Sequence, residues 1–325
     1  MSSSRPTPTA WRRDVSSDLP RPAVTDLLAS YVATPSVSGR EGPLTDRLAT
    51  DLEAAGLSVE RQPIATDRDN LLGTLEPDEP TLDSSGHPIT LLFLGHVDTV
   101  EPAHKYAEQG LDPFTLRFDP DGPAYRGLGC ADMKVGLAAI VAAVSGLRPQ
   151  RLRVRVLFVV DEEQISRGIH AATQDRADFL AGVRLAISAD TGGTRWESRE
   201  KTAPVKLIVG RLGRFGLEIV VSGIPGHSAE LDRHRWDDPI ALSAAVVDTI
   251  ESHRETLVRT HPDLGTGDFA WERLESRRSH GFTAARSVRS GMHWFAFPGE
   301  QIAHVATRLQ TIVRDALEAR GLADP

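Results

Sequence analysis

Three apolar runs of strand length each end directly in acidic or histidine-bearing residues, and this recurrence narrows the folds open to the chain. Ile89 to Leu94 (ITLLFL) runs into Gly95-His96-Val97-Asp98, Leu152 to Val160 (LRVRVLFVV) into Asp161-Glu162-Glu163, and Arg184 to Ser188 (RLAIS) into Ala189-Asp190. The first two are β-branched, leucine-rich runs that read as buried strands. Between them, Gly136 to Val144 (GLAAIVAAV) is small and apolar, as a helix packed closely on a sheet would be. Strand, helix and strand in succession predict an α/β layer with mostly parallel strands. Ligands of such sheets collect outside the carboxyl ends of the strands, where the polar clusters lie.

Upstream, Leu44, Leu48 and Leu52 recur at helical spacing between Pro43 and Gly56, which mark the two ends of a helix. After about Trp196 the texture changes. Leu217 to Ser222 and Gly291 to Phe297 read as strands, Asp238 caps a helix with Pro239 at its first position, and Ile302, Val305, Leu309, Ile312 and Val313 share one helical face. The chain thus divides into an arm over residues 1–22, expected to be disordered, a domain over 23–197, and a smaller α+β domain over 198–325.

A net charge of -8 without a basic block argues against nucleic acid or an anionic membrane as the main partner and leaves a small molecule. The single cysteine, Cys130, excludes an intrachain disulfide and a four-cysteine zinc site, and a cytoplasmic location fits. Residues 1–22 carry no apolar core of a signal peptide, and no run reaches the ~20 apolar residues of a membrane span.

Each polar cluster has a plain reading and a chemical one. His96 with Asp98 two residues on is either a strand-end polar pair or a metal ligand with a carboxylate fixing its tautomer. Asp132, after the glycine-rich Gly127-Leu128-Gly129-Cys130-Ala131, could cap the helix that follows or bridge two cations. Asp161-Glu162-Glu163 would be a solvated run on an exposed turn, but behind a buried strand three carboxylates require something positive between them. Asp190 alone means no more than a turn. Together, one histidine and three carboxylates with a spare glutamate as base suit a metal-activated water, on zinc or a metal with similar ligand preferences such as manganese, cobalt or iron.

With these residues in view the sequence resembles the zinc aminoacylase/peptidase family, peptidase family M20, which includes acetylornithine deacetylase and succinyl-diaminopimelate desuccinylase. GHVDTV, YRGLGCADMKVGLAA, VVDEE and SGIPGHSA stand here in that family's order, with ATPSVSGREG and LDPF as further familiar segments, over about Val24 to Glu318. The resemblance implies a catalytic domain with an inserted lid and dimerisation domain, and two zinc ions per subunit. It implies that His96 and Asp190 hold one zinc, Asp132 bridges both, Glu163 holds the second and Asp98 orients His96. Glu162 would be the general base and His227 a lid histidine that stabilises the oxyanion in the partner subunit's site, which implies a homodimer acting on an N-acyl amino acid or small peptide.

Two departures from the family pattern stand out: Val135 lies where a glycine is usual, and ADTGG replaces a common Glu-Pro. The family's return from the lid to the catalytic domain, with a last histidine for the second zinc, finds no counterpart before Pro325. His280, His293 and His304 fall in lid-like segments and read as surface or packing residues. The expectation is a truncated amidohydrolase, then an inactive relative that binds or regulates through the lid dimer, then an enzyme completed by another chain. Arg211 and Arg214 are candidates for an acidic substrate, though solvated arginines are the commoner outcome.

Overall fold

The computed structural model of the protein describes residues 23–119, 124–190, 210–223, 238–277 and 285–318. The expected arm over residues 1–22, His227 with the rest of the SGIPGHSA motif beyond Gly223, and His280 lie outside the described residues. The chain forms two compact units, Met1–Arg199 and Glu200–Pro325.

The first unit begins with helices α1 (Val24–Val32) and α2 (Gly42–Ala54) and strands β1 (Ser58–Ala65), β2 (Arg68–Leu75) and β3 (Thr90–His96). A short helix α3 (Lys105–Glu108) and the hairpin β4 (Arg117–Asp119) and β5 (Ala124–Arg126) lead to α4 (Lys134–Val144) and β6 (Arg153–Val159). Helices α5 (Arg167–Asp175) and α6 (Ala177–Leu180) precede β7 (Val183–Ser188). As the sequence predicts, α2 has Pro43 in its first turn and gives way to Gly56 at φ 98°.

Five strands form one sheet in the order β1-β2-β6-β3-β7. Strands β6, β3 and β7 run parallel, while β1 pairs with β2 and β2 with β6 in antiparallel fashion. The sheet is therefore mixed: four strands share one direction, in keeping with the expected mostly parallel layer, and β2 alone runs against them. The antiparallel half comes from a tight hairpin turning at Thr66 and Asp67, the latter at φ 55°. Its outer strand, SVERQPIA, is an edge strand with largely exposed side chains, so it carries no apolar run for the eye to find.

Helices cover both faces, as an α/β layer requires. On one, Val154, Val156 and Phe158 of β6 pack with Leu44, Leu48 and Leu52 of α2 and Leu137 and Val141 of α4. On the other, Leu157 and Val159 meet Leu72, Leu92, Ala172 and Phe179. Arg155 belongs to the second face: its guanidinium lies 4.6 Å above the Phe179 ring and donates to the carbonyl of Phe179. This explains the arginine that interrupts the start of an otherwise apolar run. Strand β7 is at the sheet edge, with Leu185 and Ile187 exposed.

In the second unit, β8 (Gly213–Ser222), β11 (Phe269–Arg277) and β12 (Ser287–Ala296) form an antiparallel sheet in the order β11-β12-β8. The small pair β9 (Arg259–His261) and β10 (Gly265–Gly267) stands beside it, and α7 (Pro239–Ser252), α8 (Arg254–Leu257) and α9 (Ile302–Glu318) supply the helices. Asp238 caps α7 by accepting the Ile240 N–H at 2.9 Å. Val246, Ile250, Met292, Trp294, Val305 and Leu309 form the core, with Phe269 stacked on Trp294 at 5.9 Å. Ile312 and Val313 complete the expected face of α9, whereas Ile302 is exposed. No described helix is long and apolar enough to cross a membrane.

Candidate active site

The carboxyl ends of β3, β6 and β7 adjoin in the sheet, and the loops that leave them carry the polar clusters. His96 is the last residue of β3, and its ring is fixed at both nitrogens. Nδ1 lies 2.9 Å from the backbone carbonyl oxygen of Asp98, and Nε2 lies 2.9 Å from Oδ1 of Asp132. The Asp98 carboxylate is 3.6 Å from Nδ1, so the nearest contact orienting the ring is the main chain of Asp98. Burial opposes charging of the ring, but the hydrogen bonds to Asp98 and Asp132 outweigh it and push the pKa up to about 9.

Asp132 makes no side-chain cap on α4, whose N-cap position is Met133, so its plain reading as a helix cap fails. Instead it faces His96. Gly129, at φ 74°, lets the chain pass Thr99, where a Cβ would come within 2.7 Å of the threonine methyl. Lys134, the first residue of α4, is buried and donates at 2.9 Å to the carbonyls of Tyr31 and Thr34, so it closes the end of α1. Burial pulls its pKa down to about 8.

Asp190 follows β7 and completes a group with His96 and Asp132 in which one ligand atom of each lies within 4.8 Å of the others. A nitrogen and two carboxylates at this spacing fit a divalent cation. Glu163 is not a member of this group. Partial desolvation of its carboxylate, opposed by His96, raises Glu162 above the usual carboxylate range although the residue as a whole is exposed, and the charges of Asp190, Asp98 and Asp132 add to the rise. Glu163 is raised as well, by burial and then by Asp132. Negative charge thus gathers at this end of the sheet, and a cation would relieve it.

The Asp161-Glu162-Glu163 turn divides in a way that its composition conceals. Asp161 is buried, and the positive partner that its burial demands is the Arg68 guanidinium at 2.6 Å. Glu162 is exposed and Glu163 half-buried. The Asp98 carboxylate, almost wholly buried, receives the backbone N–H of Glu162 on one oxygen and that of Glu163 on the other, both at 3.0 Å, and Ser38 donates to it at 2.8 Å. Burial raises the Asp98 pKa, but these donors and His96 hold it below the usual range. Asp98 therefore joins the histidine to the glutamate turn. Ser38, Glu41 and Arg68 escaped sequence reasoning, although Ser38 and Glu41 stand within the ATPSVSGREG segment.

Of the late histidines, His293 lies on β12 with Nε2 3.6 Å from Glu272, and His304 lies on α9. Arg211 and Arg214 are exposed.

The model of peptidase family M20/M25/M40 matches residues 92–289. Succinyl-diaminopimelate desuccinylase of Xanthomonas oryzae pv. oryzae is 30% identical over 305 residues, which cover 92% of this chain and 74% of the relative. Among solved structures, a tripeptidase from Staphylococcus aureus superposes with a TM-score of 0.65 at 17% identity, over 92% of this chain and 72% of its own. A dinuclear metal-binding peptidase of the M20 family from Bacillus subtilis does so with a TM-score of 0.56 at 14% identity, over 91% and 70%. The two structures bear on the fold alone.

Proposed function

The chain belongs to peptidase family M20/M25/M40, metal-dependent hydrolases of peptide or acyl-amino-acid bonds, and from that premise we propose that it is a zinc amidohydrolase cleaving an N-acyl amino acid or small peptide. The observation that carries the reading is the convergence of His96, Asp132 and Asp190 within 4.8 Å at the carboxyl end of the sheet. In this reading His96 and Asp190 would hold one zinc, Asp132 would be shared with a second, and Glu163 would help hold the second; cobalt or manganese would suit the same donors. Bound there, the cations supply Lewis acidity that lowers the pKa of water and polarises the scissile carbonyl.

The protein's own groups perform the proton transfers. Glu162 takes a proton from the attacking water and delivers it to the leaving nitrogen, a role that suits a carboxylate whose pKa is raised. Asp98 keeps His96 and the glutamate turn in register. His227, supported by the resemblance of SGIPGHSA, serves the oxyanion across a homodimer formed by residues 198–325. The nearest acyl group suggested by the desuccinylase relative is a dicarboxylic one.

The test is elemental analysis of purified protein followed by hydrolysis of a panel of N-acyl amino acids and dipeptides. The expected result is at least one bound zinc, lost from the triple variant His96→Ala/Asp132→Ala/Asp190→Ala, and turnover that Glu162→Gln reduces by about 10³-fold or more while metal content is kept. Protein that binds no divalent metal would sink the reading.

A further inference from the structure

The Asp161-Glu162-Glu163 turn is braced from two directions, and only one of them is the Asp98 carboxylate. On the other side stands Arg68, the first residue of β2. Its Nε and Nη2 meet Oε2 and Oε1 of Glu41 at 2.8 and 2.6 Å, and the same Nη2 lies 2.6 Å from Oδ1 of Asp161. Glu41 is the N-cap residue of α2 and is 0% exposed, Asp161 is 3% exposed and Arg68 9%. Arg167 approaches the second Asp161 oxygen at 3.6 Å from the surface.

Burying such a network costs desolvation that its attraction roughly repays, so its presence argues poorly for added stability and better for fixed geometry. The backbone gives that geometry a purpose. Asp161 sits at φ 68°, a left-handed conformation uncommon for residues with a side chain, though aspartate adopts it more readily than most, and here the ion pair with Arg68 holds the side chain in place. This residue decides where the chain goes after β6, and so where Glu162 and Glu163 point. The two backbone N–H groups that follow it are the ones bonded to Asp98.

We propose that Arg68 is a positioning residue for the hydrolytic base: by bridging Glu41 and Asp161 it fixes the left-handed turn and aims Glu162 and Glu163 at the site. This rests on the reading of Glu162 as the base. It gives the SVSGREG segment a task, since Ser38 braces Asp98 and Glu41 braces Arg68, one on each side of the same turn.

The experiment compares the wild-type chain with Arg68→Lys, whose ammonium keeps the charge but cannot make the two-pronged bond to Glu41 while reaching Asp161. One readout is amide exchange of Glu162 and Glu163; the other is steady-state hydrolysis of the substrate panel by zinc-loaded protein. The expected result is exchange at least tenfold faster at those two amides with β3 and α4 unchanged, and a kcat at least tenfold lower with KM within twofold. Unchanged exchange overturns the proposal, as does acceleration spread evenly over the unit, which marks a merely structural role. Should Arg68→Lys not fold, Glu41→Gln removes one of the bonds and is expected to accelerate the same two amides about threefold. Should the wild-type chain hydrolyse nothing on the panel, the reading of Glu162 fails by itself, and local exchange alone then decides whether Arg68 sets the turn.

Discussion

His96 and Asp132 meet with Nε2 2.9 Å from Oδ1, and this contact ties the stability of the protein to pH in a direction of its own. The pKa of His96 stands at about 9 against an ordinary 6.5, so in chelator-treated protein its contacts contribute fully below pH 6.5 and are lost as the pH rises through 9. Lys134 works in the opposite sense. Its pKa is lowered to about 8, so stability returns between there and its ordinary value of 10.5. The window from pH 6.5 to 8 therefore isolates the histidine, with a fall on the order of 2 kcal/mol. Thermal melts across that window check it. His96→Gln flattens the slope, and a wild-type slope of the opposite sign would refute the assignment.

Asp98 and Ser38 predict a graded pair of effects. Asp98→Asn turns one acceptor oxygen into a donor facing a backbone N–H of the glutamate turn, leaving that part-buried N–H without its acceptor beside a second donor. Ser38→Ala removes only one donor from the same carboxylate. Denaturant unfolding should give losses of about 2–3 kcal/mol for the first and about 1 kcal/mol for the second. In turnover, Asp98→Asn should lower kcat far more than Ser38→Ala. Equal effects would show that Asp98 does not serve the turn.

Much of this arrangement was legible in the sequence because burial and period coincide there. The runs that became β3 and β6 are apolar on both faces, and the acidic residues after them could only lie at the sheet's carboxyl end. What escaped was whatever lacked an apolar run. Strand β1 is a mostly exposed edge strand, so neither it nor the antiparallel half of the sheet announced itself. Asp161 was grouped with Glu162 and Glu163 by adjacency, yet one residue is buried against Arg68 and its neighbour is exposed. Sequence spacing could not disclose that division, because the partner comes from β2, 93 residues upstream. The family-like motifs suggest residue roles, but the side chains that brace those residues emerge only from three-dimensional packing.

The second unit offers a local prediction that is independent of the site. Asp238 accepts the Ile240 N–H at the start of α7, a bond that the Asp-Pro pair in the sequence foretells. Asp238→Ala should cost about 1 kcal/mol, within the usual range for a lost helix cap. Differential scanning calorimetry should show the loss in the unfolding of residues 200–325, with metal content unchanged. A loss of metal would mean that the cap acts beyond its helix.

Gly136 sets α4 against the end of β7, and substitution there should reach the site. By helix propensity alone Gly136→Ala would stabilise α4 by up to about 1 kcal/mol. A Cβ at this position, however, would stand 2.3 Å from the backbone carbonyl oxygen of Ala189 and 3.0 Å from its carbon, and backbone cannot swing aside as a side-chain tip can. Ala189 is itself tethered, its N–H donating to Leu94 at 3.3 Å, and it precedes Asp190. Relief must therefore shift either α4 or the residue that carries Asp190. Overpacking of this kind costs about 1–3 kcal/mol, which exceeds the propensity gain. The expected outcome is a lower denaturation midpoint together with zinc affinity reduced at least tenfold, measured by competition with a chromophoric chelator. A variant that gains stability and binds zinc as the wild type does would show that the helix yields without disturbing Asp190.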